Sequence, residues 1–253
     1  MSKRKKGWLL AGSAVSLAIW VGASVITSQL VVVQLMSMIV GVDRLSRPIP
    51  MAIYTILSYG LAFTLAIIMP IYLLPKRTDI DKARKPKFGL SEVGLKGWLS
   101  WTDIGLAPVG FIVYLILAAG LVAVFNLFPW FNASETQSLG FSLYSTGIDR
   151  VIAFLTLVIV APVAEEIIFR GFLYGRLREK FHGQMPEWVG VMIAVFLTSL
   201  LFGIVHLQWN VGVNVFALSI VLCGLREITG SIYAGILLHV LKNFVAFYLL
   251  YML

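Results

Sequence analysis

A single cysteine, Cys223, stands in the whole chain. An internal disulfide is excluded, and with it a cysteine-rich metal site and a dithiol redox pair, so the residue reads as core packing. Charge is scarce as well: 13% of the residues are charged against 59% apolar, too few polar groups to clothe a soluble globule of 253 residues. The zinc-protease helix signature His-Glu-x-x-His is missing, and no serine or cysteine falls in a recognisable nucleophile motif. A rhomboid-like serine mechanism is thereby set aside. No cleavable signal is apparent either, because the apolar run after Lys3, Arg4, Lys5 and Lys6 is far longer than the short hydrophobic stretch of a signal peptide. No internal repeat or low-complexity linker interrupts the sequence.

What the sequence has instead is long apolar runs. Spanning a hydrocarbon layer of about 30 Å takes roughly 20 apolar residues in a helix. Such runs lie near Trp8 to Met38, Met51 to Leu74, Ile104 to Phe128, Ile148 to Tyr174, Trp188 to His206, Val211 to Leu225 and Ile232 to Leu253. The fold class expected is all-α, a polytopic transmembrane helical bundle of about seven spans. Residues 1–103 read as N-terminal spans with a basic loop, and residues 104–253 as the core.

The net charge of +8 does not indicate nucleic acid, because the basic residues sit beside the spans rather than on one surface. The segment Pro75 to Asp103 holds Lys76, Arg77, Lys82, Arg84, Lys85, Lys87 and Lys96, whereas Pro129 to Gly147 holds no lysine or arginine. The positive-inside rule then puts the first segment and the N-terminus on the cytoplasmic side. The lipid bilayer is the expected partner of the apolar surface.

Ionisable groups inside a span cost about 2.5 to 3.5 kcal/mol each on the insertion scale, so each asks for a partner or a task. One run carries Glu165, Glu166 and Arg170. Glu166 and Arg170 are four apart and share a helix face, while Glu165 points about 100° away and must find its partner on another helix or in water. Structural pairing of both glutamates with Arg170, or a proton path, is the plainer reading of this group alone. His206 ends the next run, with Phe202 one turn earlier on the same face. His239 and Asn243 are four apart in the last span, two stacked hydrogen-bonding groups. Arg226 and Glu227 read as a polar turn without chemistry, and Lys242 is expected to point away from Asn243.

Peptide hydrolysis needs an activated water and donors aimed at the oxygen that becomes negative. A carboxylate, two imidazoles and an amide supply both. Residues Glu165, His206 and His239 equally suit a zinc ion with water in the fourth position, and the residues alone leave the two open.

Taken in order, Glu165-Glu166-x-x-x-Arg170, Phe202-x-x-x-His206 and His239-x-x-x-Asn243 resemble the CPBP family, also called Abi, of type II CaaX prenyl proteases and bacterial relatives that include bacteriocin immunity proteins. The likeness runs from about Ala161 to Phe244 and takes in Pro162, Phe169-Arg170-Gly171 and Ala234-Gly235-Ile236. It implies an intramembrane endopeptidase in which Glu165 with His206 activates water, His239 and Asn243 hold the oxyanion, and Glu166, Arg170 and Phe202 support them. It implies no cofactor in the glutamate-type version and Zn, held by Glu165, His206 and His239, in the metallo-type version. The substrate would be a membrane-anchored protein or peptide, not one assumed to be prenylated, and the short chain suits a bacterial cell membrane. A non-catalytic scaffold or immunity protein is the alternative.

One expectation conflicts with this. If the fourth span ends near Arg176, Glu165 lies about 16 Å inside it, whereas His206 lies about 30 Å along a helix beginning near Pro186.

Overall fold

The computed structural model describes residues 3–72, 89–133 and 147–251, and every regular element among them is helical. Seven helices are long and apolar enough to cross a membrane. They are α1 (Lys3–Val40), α2 (Pro48–Tyr72), α3 (Trp101–Phe125), α4 (Ile148–Phe181), α5 (Glu187–Ile204), α6 (Trp209–Thr229) and α7 (Tyr233–Tyr251). The chain is an all-α, multi-pass bundle. Of the basic residues expected between Pro75 and Asp103, Lys96 is among the described residues and the other six lie outside them.

Local sequence sets the helix ends. Pro48, whose missing N–H costs nothing in a first turn, begins α2. Ser100 and Asp103 close a reciprocal capping box on α3: the Asp103 N–H donates to Ser100 Oγ at 3.2 Å, and the Ser100 N–H to Asp103 Oδ2 at 2.9 Å. Beyond Tyr174 hydropathy falls, yet α4 continues to Phe181, because Leu177 and Phe181 lie four apart and are buried while good helix formers fill the outer face.

That extension removes the mismatch in depth. Counted from the short turn joining α4 to α5, Glu165 lies about 24 Å along α4 and His206 about 28 Å beyond Glu187. The two helices run side by side with Phe169 and Phe202 in edge contact at 4.9 Å. The expected end near Arg176 was therefore too early.

Helix α4 is also unevenly wound. Its turns widen to π-helix over Leu155–Val160 and again over Glu166–Tyr174. Pro162 gives a cause for the first, since its ring crowds the carbonyl four residues back and opening the turn relieves the clash. In the wider register the Ala161 N–H reaches back to Thr156 O. The next donor in line would be Pro162, which has no N–H, so Leu157 O must look elsewhere.

The interior holds two large apolar groups and a smaller third one of Ala153, Val158 and Phe247 between α4 and α7. Of the large ones, one is built from α1, α2, α4 and α5, the other from α3, α6 and α7, and α6 contributes to both. A short turn at Leu90–Val93 presses its backbone onto α4 at Gly171, where a Cβ would stand 2.1 Å from Val93 O. The Ile232 N–H donates to Gly94 O at 3.1 Å, tying the same turn to the start of α7. Segments expected in the N-terminal part thus touch the core directly.

Candidate active site

Glu165 and Glu166 approach one imidazole from two sides. His239, on α7 and 4% exposed, has Nδ1 3.0 Å from Glu166 Oε1 and Nε2 3.6 Å from Glu165 Oε2. The angular offset read from the sequence explains this: adjacent residues on α4 diverge enough to place a ring between them.

The inner carboxylate is fully enclosed. Glu166 Oε1 accepts from Arg170 Nη1 at 3.0 Å, and both side chains are 0% exposed. Room for Glu166 Oε2 comes from Gly235 on α7, where a Cβ would stand 3.1 Å away. The Arg170 guanidinium lies 4.2 Å from the centre of the Phe202 ring. That ring also meets His206 at 4.9 Å and His239 at 6.0 Å, so Phe202 joins all three polar groups. Because Arg170 holds Glu166 as an acceptor, the shared contact is one in which His239 Nδ1–H donates. Its Nε2 is then turned toward Glu165.

Glu165 is the outer carboxylate, 15% exposed. Its partners come from other helices, as its orientation requires. Besides His239 it accepts a short hydrogen bond at Oε1 from the Tyr59 hydroxyl on α2. Sequence reasoning missed Tyr59, since a tyrosine in an apolar run carries no signal that separates a site residue from an interfacial one.

His206 sits just past the end of α5, and its Nδ1 lies 2.7 Å from Phe202 O. A carbonyl only accepts, so Nδ1 carries a proton, and in the neutral ring Nε2 keeps its lone pair. The charges of Glu165, His239 and Lys242 all reach His206. Lys242 therefore lies near the site while pointing away from Asn243, as helix geometry requires. It is three residues from His239 and shares that face.

Asn243 takes a different position from the one expected of a free donor. Its Nδ2 donates to Leu157 O at 2.9 Å, filling the acceptor that Pro162 leaves without an N–H. One of its two amide protons is thereby committed. Among the described residues no three His, Cys, Asp or Glu side chains are grouped so as to hold a metal ion.

Glu227 does more than end a helix. Glu227 accepts from the Tyr174 hydroxyl at 2.8 Å and from Arg178 Nε at 2.7 Å. This network joins α6 to α4 beyond the catalytic candidates.

Comparison with known proteins draws on these same helices. Residues 147–245 match the family model described as type II CAAX prenyl endopeptidase, Rce1-like. The matched segment runs from the start of α4 into α7 and contains all three motifs; Tyr59 and the Leu90–Val93 turn lie outside it. The resemblance read from those motifs therefore stands: this segment is similar to the CAAX type of intramembrane protease. No curated protein and no solved structure matches the chain significantly.

Proposed function

We propose that the chain is a glutamate-type intramembrane endopeptidase that hydrolyses membrane-associated protein or peptide substrates. The observation that carries this reading is the His239 ring between Glu165 and Glu166, at 3.6 and 3.0 Å. A buried ion pair that served only packing would need one carboxylate, whereas here a second, partly exposed one faces the same ring.

In this reading a water enters beside Glu165 Oε2 and the free Nε2 of His206. Glu165, assisted by His206, removes its proton as the oxygen attacks the scissile carbonyl carbon. The carbonyl π electrons move to oxygen, and the oxyanion is met by Nε2–H of the doubly protonated His239 and by the uncommitted Asn243 amide proton. Collapse expels the amine, which takes the proton back from the base. Glu166 and Arg170 hold His239 by its Nδ1–H and balance each other's charge. Lipid-facing helices suit a substrate that arrives through the bilayer, and a prenyl group on it is not required by any of these steps. The basic residues of the sequence support a cytoplasmic N-terminus and a cytoplasmic Pro75 to Asp103 segment.

The test is mass spectrometry of membrane peptides incubated with the purified protein in heavy-oxygen water, with and without a strong zinc chelator. Cleavage with heavy oxygen in the new carboxyl terminus, unaffected by the chelator, supports the reading. Absence of cleavage contradicts the protease, and loss of cleavage with the chelator, restored by zinc, contradicts its glutamate-type form.

A further inference from the structure

We infer that Tyr59 of α2 is a positioning residue of the hydrolytic site, acting through Glu165. The inference rests on the reading of Glu165 as the group that activates water, and it extends the site to a helix outside the matched segment 147–245.

The two oxygens of Glu165 have different surroundings. Oε1 accepts from the Tyr59 hydroxyl, and Oε2 faces His239 Nε2 at 3.6 Å, beyond a direct hydrogen bond. An ionised carboxylate only accepts, so the phenol is the donor. A glutamate has three rotatable side-chain bonds, and nothing on its own helix holds Glu165. Its neighbour Glu166, by contrast, is pinned by Arg170 four residues on. Tyr59 supplies the missing constraint from across the bundle. With Oε1 occupied, Oε2 is the oxygen left to take a proton from water, and it faces the His239 imidazole.

Tyr59 is itself well placed for this. Its ring packs against the apolar group shared by α1, α2, α4 and α5, which fixes the direction of the hydroxyl. Phenol rings lose little freedom when held, so the orientation is obtained at low entropic cost. The arrangement gives α2 a task beyond spanning the bilayer: the outer carboxylate is aimed by one helix and used against another.

The experiment measures kcat, KM and the unfolding temperature for Tyr59→Phe, Glu165→Asp and the double variant, with Glu165→Gln as reference. Glu165→Asp withdraws the carboxylate by one methylene from the hydroxyl, while the ring of Tyr59→Phe still fills its place. Tyr59→Phe is expected to lower kcat about 10- to 100-fold, the range for a hydrogen bond to a charged group, with KM unchanged and the unfolding temperature lowered too little to unfold the protein in the assay. In the Glu165→Asp background the same change is expected to do nothing further. The carboxylate stretch that disappears in Glu165→Gln should also move in Tyr59→Phe.

An unchanged kcat in Tyr59→Phe overturns the inference. So does a loss that is equal in both backgrounds or that follows the unfolding temperature, because either marks a purely structural tyrosine. Full activity in Glu165→Gln removes the base itself, a separate result that takes the underlying reading with it.

Discussion

Replacing Arg170 by methionine exposes what holds the inner half of the site. The substitution keeps most of the volume and removes the only charge that balances Glu166 within its own helix, at 3.0 Å and with neither side chain reached by solvent. Breaking a buried pair from one side costs about 3 to 5 kcal/mol, and Glu166 is then left with His239 Nδ1–H as its one partner. Loss of the guanidinium over the Phe202 ring, 4.2 Å away, adds a contribution of up to about 2 kcal/mol for a desolvated contact. At roughly 2 to 4 °C per kcal/mol for a chain of this size, the unfolding temperature in detergent should fall on the order of 10 °C. The decisive comparison is with Glu166→Gln/Arg170→Met, in which both members of the pair are removed, Glu165 still faces His239 at 3.6 Å, and the amide oxygen of glutamine still accepts from His239 Nδ1. Most of the lost stability should return in the double variant. If Arg170→Met unfolds at the wild-type temperature, or if the second substitution makes matters worse by adding its own loss, the pair is not the structural unit described.

Three further outcomes follow from distances in the bundle. Gly171→Ala places a Cβ 2.1 Å from Val93 O, so the Leu90–Val93 turn must lift from α4. A loss of about 1 to 3 kcal/mol in thermal unfolding is expected, together with faster proteolysis near Gly94. Asn243→Ala strands Leu157 O at a cost of about 1 to 3 kcal/mol, and adding Pro162→Ala supplies a backbone donor and should restore stability but not turnover. Recovery of both in the double variant would assign Asn243 to structure alone. Tyr114→Phe removes the hydroxyl that joins α3 to Asn214 on α6 and should cost about 1 kcal/mol with kcat unchanged, read by unfolding and peptide cleavage together.

The hydropathy of the chain made the seven spans legible, because nothing but bilayer thickness needs apolar runs of that length. The i, i+4 spacing of Glu166 and Arg170 was legible for the same kind of reason: helix geometry decides it locally. So was the need of Glu165 for a partner elsewhere, although the identity of one such partner, Tyr59, was not. Which residue of α2 faces Glu165 depends on how two helices distant in sequence are rotated, and composition holds no trace of that. The course of α4 past Arg176 is not legible in hydropathy, because the rise in charge there marks the end of the apolar face and not of the helix. Asn243 shows the remaining gap. Its spacing from His239 was plain, but its acceptor exists only because Pro162 shifts the register of α4, a consequence that emerges after the helix is built.

The account stands most directly on Glu165, and the measurement that tests it is cleavage of a membrane peptide by Glu165→Gln beside its unfolding temperature. Glutamine keeps the shape of the side chain and an acceptor for Tyr59 while giving up the ability to take a proton. The account predicts turnover reduced to background in a protein that unfolds as the wild type does. Turnover at the wild-type rate in that folded variant would contradict it.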